Sequence, residues 1–182
     1  LECLVRLLAD NGYQNLYYGD YPGTVSMEKA AYCAGMTEFE DRFGIRQGDF
    51  SRGVEAVYEE GGHAFSYGVC PAAMEADAII NLCKMKTHAL QRITGAVKNS
   101  YGFIYGLHKA KGHTLFPSAD SFARMLIDLN QCVNPRLYIM DGITAMEGNG
   151  PGSGDPVDMK VMLMSTDPVA LDSVFCRLVH LK

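Results

Sequence analysis

The sequence has no tryptophan, no Asp or Glu between Asn81 and Phe116, and no long uncharged apolar run. A transmembrane helix needs about 20 consecutive, mostly apolar residues. The sequence therefore predicts no membrane-spanning segment and no membrane partner. No basic and apolar signal segment opens the given sequence, and neither does a Met.

Cysteines are few, and no two of them form a C-x-x-C pair. The chain has six: Cys3, Cys33, Cys70, Cys83, Cys132 and Cys176. This scatter excludes a zinc ribbon or a four-iron cluster built within this chain. A chain of 182 residues can bury a core large enough to fold without disulfides. We therefore expect reduced thiols and a cytoplasmic location.

Positive charge is concentrated in the segment from Asn81 to Phe116. This segment holds six Lys or Arg residues and three His residues, although the whole chain has 16 basic and 21 acidic residues. The residues between these charges are mostly apolar or small, as in Tyr101-Gly102-Phe103-Ile104-Tyr105. The pattern predicts either a cleft that binds an anion or a basic surface patch. Nucleic acid is excluded as a partner, since the chain is acidic overall and shows no reading-helix motif.

Helix and strand patterns alternate along the chain. Apolar residues follow helical spacing over Leu1–Leu8 and Phe122–Val133. Three short apolar runs predict buried strands: Ala78–Leu82, Leu137–Met140 and Val161–Met164. Val54–Tyr58 and Ala64–Tyr67 are typical of a hairpin. We predict a single α/β domain over residues 1–182, a three-layer αβα fold with a mainly parallel sheet plus a small β-hairpin.

Polar residues follow the predicted strands, where the carboxyl edge of a parallel sheet binds ligands. Lysine ammonium groups bind phosphate or carboxylate. We predict an anion site formed by five residues: Lys84, Lys86, Thr87, Lys98 and Asn99. His88 can transfer protons near neutral pH, and we predict it as a catalytic group together with Asp141 and Glu147. Two further cations, Lys109 and His113, are predicted to lie in a mobile loop.

Carboxylates offer a second chemistry, because Mg²⁺ prefers oxygen ligands. Four of them are candidate metal ligands: Asp141, Glu147, Asp167 and Asp172. Asp167 has another interpretation, since it precedes Pro168 at the start of a predicted helix and can cap it. The glycine-rich segment 148–154 has no helix after it, which excludes a dinucleotide-binding fingerprint and favours a lid or turn.

Six ordered blocks of residues carry a likeness to a known family. They are Glu75–Leu82, Lys84–His88, Thr94–Asn99, Ile139–Ile143, Met146–Pro151 and Asp167–Asp172. In these blocks the chain resembles domain of unknown function 362, a family of bacteria and archaea. Cys83 stands where a Pro is expected in this family.

The resemblance implies an α/β domain that is often joined to a ferredoxin-type module with two four-iron clusters. Because this chain lacks the cluster cysteines, such a module would belong to a missing C-terminal part or to a partner protein. We also expect a missing N-terminal segment, so that the chain is an excerpt of a longer protein.

Three functions are compatible with these features. The first is a redox-associated enzyme domain that binds a small anionic substrate or cofactor and receives electrons from the ferredoxin-type module. The second is a non-catalytic anion-binding or scaffold domain. The third is a metal-dependent acid–base enzyme built on the carboxylates.

Overall fold

A computed structural model describes residues 1–22, 25–60 and 66–181. These residues form eight α-helices: α1 Glu2–Asp10, α2 Met27–Cys33, α3 Met36–Phe43, α4 Pro71–Glu75, α5 Ala96–Asn99, α6 Gly106–Leu115, α7 Ala119–Val133 and α8 Pro168–Leu178. They also form eight strands: β1 Tyr17–Tyr18, β2 Arg46–Gln47, β3 Val54–Val57, β4 Ser66–Val69, β5 Ile80–His88, β6 Arg92–Thr94, β7 Leu137–Glu147 and β8 Asp155–Ser165. A 3-10 helix, Ser100–Phe103, follows α5.

The main sheet has the strand order β6-β5-β7-β8. The pair β5–β7 is parallel, whereas β5–β6 and β7–β8 are antiparallel. The predicted α/β class is confirmed, but the sheet is mixed where we predicted a mainly parallel one. The reason lies in the segment 148–154, which joins β7 to β8. A parallel crossover needs a dozen or more residues, and this short glycine-rich segment turns the chain straight back.

One face of the main sheet is covered by helices. Alternate residues of β5 and β7 are buried on this face, and they pack against α5 and α8. The cluster consists of Cys83, Met85, Ala96, Tyr138, Met140, Ala145, Leu171 and Phe175. Period-2 alternation in the strands thus produces a single apolar face.

The opposite face of the sheet is open in the part of the chain that the structure describes. Leu82, Met162 and Met164 lie on it and are exposed to 41%, 60% and 64%. A three-layer fold would bury these side chains under a second layer of helices. The described residues supply one helical layer only, which corrects the three-layer expectation for this part of the chain.

A second core lies between the hairpin β3–β4 and helix α7. Its largest fully buried members include Tyr67, Phe122 and Met125, and the Tyr67 hydroxyl donates a hydrogen bond to the Met125 carbonyl at 3.2 Å. The antiparallel pairing of Val54 with Val69 confirms the predicted hairpin. Its turn, residues 61–65, lies outside the described residues. A third, smaller cluster joins α1, α2 and α3 beside the parallel pair β1–β2.

A buried polar network holds the main sheet against α7. Asn81 Nδ2 donates to Ser100 Oγ at 2.9 Å, and Ser100 Oγ donates to Asn130 Oδ1 at 2.6 Å. The Tyr138 hydroxyl donates to the same Asn130 oxygen at 3.0 Å. Because each buried polar group here has a partner, the network fixes β5, β7 and the 3-10 helix relative to one another.

Candidate functional site

We predicted that this strand ends at Leu82, whereas β5 continues to His88. The apolar run covers only the first residues of the strand, and Cys83 and Met85, which follow it, are also buried. Polar residues extend it because every second position can face water. As a result Lys84, Lys86 and Thr87 lie on a strand and not in a loop at its end.

Lys84 and Asp141 face each other across the parallel pair β5–β7. Lys84 Nζ lies 2.7 Å from Asp141 Oδ2, and Asp141 Oδ1 accepts the backbone N–H of Ile143 at 2.9 Å. The hydrogen bond from Lys84, followed by that from Ile143, lowers the pKa of Asp141. The charges of the two predicted functional groups, Lys84 and Asp141, therefore neutralise each other on the open face of the sheet.

His88 closes the turn between β5 and β6. Its Nδ1 accepts the backbone N–H groups of Leu90 and Gln91, each at 3.1 Å. Burial lowers the pKa of His88 to about 4, and the charge of Lys98 contributes to this. The imidazole is therefore neutral at pH 7, and its proton lies on Nε2 because Nδ1 acts as the acceptor.

Lys98 is a partly buried cation on α5. Its Nζ lies 5.5 Å from the ring centroid of Tyr101 and 5.9 Å from that of Phe122. Within the described ranges it has neither a hydrogen-bond acceptor nor a carboxylate partner. Burial lowers the pKa of Lys98 to about 8, and the charges of Lys109 and Lys86 add to the effect. An ammonium group in such surroundings has lost part of its hydration and gained ring faces in return.

Lys109 and His113, both on α6, also lie beside the Tyr101 ring, and His113 lies beside Phe122 as well. Lys109 Nζ lies 5.6 Å from the Tyr101 centroid and donates a hydrogen bond to the carbonyl of Tyr21. The His113 ring stacks on Phe122 with 4.6 Å between centroids. Sequence analysis predicted a mobile loop here, because Gly112 and Pro117 suggested it. Gly112 is instead buried inside α6, and its Cα lies so near the Tyr101 hydroxyl that a Cβ would overlap it.

Five basic side chains act on one another at this place, and we call them the basic cluster: Lys86, His88, Lys98, Lys109 and His113. Burial lowers the pKa of both histidines and of Lys98; the charge of Lys98 adds to the shift of the histidines, and the charge of Lys109 adds to that of Lys98. Burial lowers the pKa of Lys109, and the negative charge of Asp20 opposes this shift. The three lysines of the cluster thus concentrate positive charge beside the carboxylate of Asp20.

The remaining predicted anion ligands have separate surroundings. Asn99 Nδ2 donates to Asn81 Oδ1 at 2.7 Å and to the Leu82 carbonyl at 3.0 Å, so it ties α5 to β5. Thr87 Oγ1 is buried with no hydrogen-bond partner in the described structure, and the backbone of Gly150 packs against it. Thr94, which pairs across the strands with Lys86, has a second buried hydroxyl without a partner among the described residues.

The four carboxylates proposed for a metal are not brought together. Asp172 Oδ1 and Oδ2 accept the backbone N–H groups of Ala96 and Val97 at 2.7 and 3.0 Å, and burial raises its pKa to about 6. Asp141 pairs with Lys84, and Glu147 is exposed at the end of β7. No group of three or more possible metal ligands lies together in the ranges that the structure describes.

Asp167 is also distant from Glu147, because β8 runs antiparallel to β7. Its carboxylate accepts the backbone N–H groups of Val169 and Ala170 at 2.8 and 3.0 Å, which confirms the predicted N-cap of α8. We expect Asp167→Ala to lower the free energy of unfolding by about 0.5–2 kcal/mol. Asp167→Ser should retain most of the stability, since a serine hydroxyl caps nearly as well. Chemical denaturation of both variants checks this, and equal losses would contradict the capping role.

In the described parts of the chain, no helix combines the length and the apolar character that membrane crossing requires. Residues 1–177 match the family described as domain of unknown function, DUF362, and the chain belongs to this family. Among curated proteins it is similar to the thylakoid-associated protein sll1697 of Synechocystis sp. strain PCC 6803. The two are 42% identical over 110 residues, which is 60% of this chain and 34% of the relative. The matched region therefore spans about a third of that relative.

Proposed function

We propose that the basic cluster binds a small anion that carries a phosphate or carboxylate group. The observation that carries this proposal is Lys98, a partly buried ammonium group with no acceptor among the described residues. Partly buried charges are normally paired, because an unpaired one has lost hydration without compensation. A bound anion would supply the missing acceptor.

The alternative of a solvated surface patch fits Lys98 poorly. Surface lysines extend their ammonium groups into water, whereas Lys98 directs its Nζ over two aromatic rings whose residues are buried. Lys109 and His113 approach the Tyr101 ring from another helix. On a solvated surface patch, repulsion between like charges would keep these side chains apart.

The basic cluster supports binding more than turnover. His88 is neutral at pH 7, and its unprotonated Nδ1, the nitrogen that could take a proton from a substrate, already accepts two backbone N–H groups. Asp141 is paired with Lys84. We therefore propose a ligand-binding domain, and the redox-associated enzyme domain is the second candidate. A ferredoxin-type partner stays a prediction from the family resemblance. A cytoplasmic location stays a prediction from the free cysteines. The name of the relative associates that protein with thylakoids.

The proposal predicts a specific stabilisation by oxyanions. Phosphate at ten times its dissociation constant should raise the free energy of unfolding by about 1.4 kcal/mol. Thermal melts in phosphate and in chloride, at equal ionic strength and pH 7, measure this effect. Lys98→Met should reduce the difference between the two salts to the part that comes from exclusion at the surface, since it removes the charge and keeps most of the length of the side chain.

The matched control is Lys111→Met, which removes an exposed lysine from α6. This variant should respond to phosphate as the wild type does. Sulfate and phosphate also stabilise proteins by exclusion from the surface, and that part of the effect will persist in every variant. Equal phosphate responses in wild type and Lys98→Met would contradict anion binding at Lys98 and favour the interpretation as a basic surface patch.

A further inference from the structure

We infer that the anion bound by the basic cluster carries an aldehyde or keto group, and that Lys98 binds this carbonyl covalently as an imine. This inference rests on the proposed function and adds the chemical class of the ligand. A lysine amine becomes a nucleophile when it is desolvated or lies next to another cation. Both conditions hold at Lys98, which lies over two aromatic rings and beside other lysines of the cluster.

Three basic side chains surround the ring of Tyr101. Lys98 Nζ and Lys109 Nζ lie 5.5 and 5.6 Å from its centroid, and the centroid of the His113 ring lies 5.4 Å from it. The charges that act on Lys98 are those of Lys109 and Lys86, and no carboxylate of the described residues forms an ion pair with it. Loss of the Lys98 proton therefore breaks no ion pair and relieves repulsion between lysines.

The Lys98 nitrogen also remains within reach of a small molecule. Three side-chain polar atoms are fully buried without a hydrogen-bond partner in the described structure, namely Thr87 Oγ1, Thr94 Oγ1 and Asp128 Oδ2. Lys98 Nζ also has no such partner there, yet it is not among these buried atoms, so it keeps contact with solvent. An amine that is partly desolvated but still accessible can attack a carbonyl compound that enters from solution.

A neighbouring lysine can hold the acidic group of the ligand. Lys86 lies on β5, and its charge contributes to the lowered pKa of Lys98, so the two side chains are close together. Lys86 makes no hydrogen bond or ion pair with the described residues, which leaves its three N–H donors for a carboxylate or phosphate. The cluster thus provides an amine for the carbonyl and a separate cation for the acid, and the ligand it favours is a small carbonyl acid.

The covalent step is reversible and needs no oxidant or reductant. Lys98 first releases one proton to solvent, and its neutral amine attacks the carbonyl carbon of the ligand. The C=O double bond is replaced by a C=N double bond, and the oxygen leaves as water with the two remaining protons of the nitrogen. Hydrolysis runs the same steps backwards and returns the lysine and the carbonyl compound unchanged.

The test is reductive trapping with glyoxylate, an aldehyde that carries a carboxylate. The wild-type chain is incubated with glyoxylate and cyanoborohydride at pH 7, and peptide mass spectrometry measures the carboxymethyl group fixed on each lysine. Lys98 should be labelled about tenfold faster than the exposed Lys111, because burial and neighbouring cations raise the neutral fraction of its amine. Acetaldehyde, which has no charge, should distinguish less between the two lysines.

Lys98→Arg keeps the positive charge but cannot form an imine, so the fast phase of labelling should disappear in this variant. Lys111→Arg is the matched control, because it makes the same change at an exposed lysine of α6. In that variant the labelling of Lys98 should equal the wild-type rate. Phosphate should slow the labelling of Lys98 by glyoxylate and leave that of Lys111 unchanged, since the two anions compete for the basic cluster.

Selective labelling of Lys98 by glyoxylate, slowed by phosphate, is the expected result. Equal labelling of Lys98 and Lys111, with the specific stabilisation by phosphate present, would overturn this inference and leave the proposed function intact. Equal selectivity with glyoxylate and acetaldehyde would also overturn it, since the carbonyl would then be captured without its acidic group. Absence of both selective labelling and phosphate stabilisation would overturn the proposed function and this inference with it.

Discussion

Lys98→Met is expected to raise the free energy of unfolding by about 1–3 kcal/mol at pH 7, in a buffer without phosphate or sulfate. Burial lowers the pKa of Lys98 from 10.5 to about 8. A shift of this size corresponds to roughly 3 kcal/mol of unfavourable free energy for the charged form. The two cation–π contacts offset part of it, by about 0.5–2 kcal/mol. A gain in stability with a loss of anion binding is typical of a functional residue.

The pH dependence of this gain has a definite sign. Between pH 8 and 10.5 the unfolded wild type binds more protons at Lys98 than the folded wild type does. Wild-type stability contributed by Lys98 therefore rises across this range. The advantage of Lys98→Met should shrink accordingly and be smallest near pH 10.5. Urea denaturation at pH 7 and at pH 10 measures both values, with Lys111→Met as the control. A loss of stability in Lys98→Met at pH 7 would contradict the account of Lys98.

Gly95→Ala is expected to lower the free energy of unfolding by about 2–4 kcal/mol. A Cβ at Gly95 would overlap the carboxylate of Asp172, which accepts the backbone N–H groups of Ala96 and Val97. The backbone of Gly95 has φ −121° and is open to alanine, so the cost comes from the overlap. Displacing the carboxylate would leave two N–H groups and one charge without partners.

Gly152→Ala is the matched control, because nothing lies within 4 Å of a Cβ at that position. Its stability should change by less than about 0.5 kcal/mol. In an Asp172→Ala background the overlapping atoms are gone, and Gly95→Ala should cost markedly less than in the wild type. Chemical denaturation of the four variants gives these differences. Equal costs of Gly95→Ala in the two backgrounds would show that the carboxylate is not the obstacle.

Much of the fold could be predicted from local patterns. The helical spacing of α1 and α7 and the Asp167-Pro168 start of α8 are each visible within a few residues. The direction of β8 could not be predicted this way. Periodicity identifies a strand but not its partner, and the glycine-rich segment 148–154 fits a loop as well as a hairpin turn.

The grouping of the basic residues could be predicted in part. The acid-free segment drew attention to Lys86, His88 and Lys98, since charge composition needs no knowledge of the fold, and the structure brings these side chains near one another. The aromatic environment of Lys98 was missed, because Phe122 lies 24 positions further along the chain and meets Lys98 only through the packing of α7. Lys109 and His113 were assigned to a loop, because the Gly and basic residues of α6 form no apolar stripe that would predict a helix.

The most direct test of the central claim is the pKa of the Lys98 side chain, measured by NMR on lysine labelled at Cε and Nζ. Assignment follows from the signal that is missing in Lys98→Met. In chloride the account predicts a pKa of about 8. In phosphate at equal ionic strength the pKa of Lys98 should rise, because a bound anion favours the charged form, while the signal of Lys111 stays unchanged. An identical Lys98 titration in the two salts would contradict anion binding at this residue.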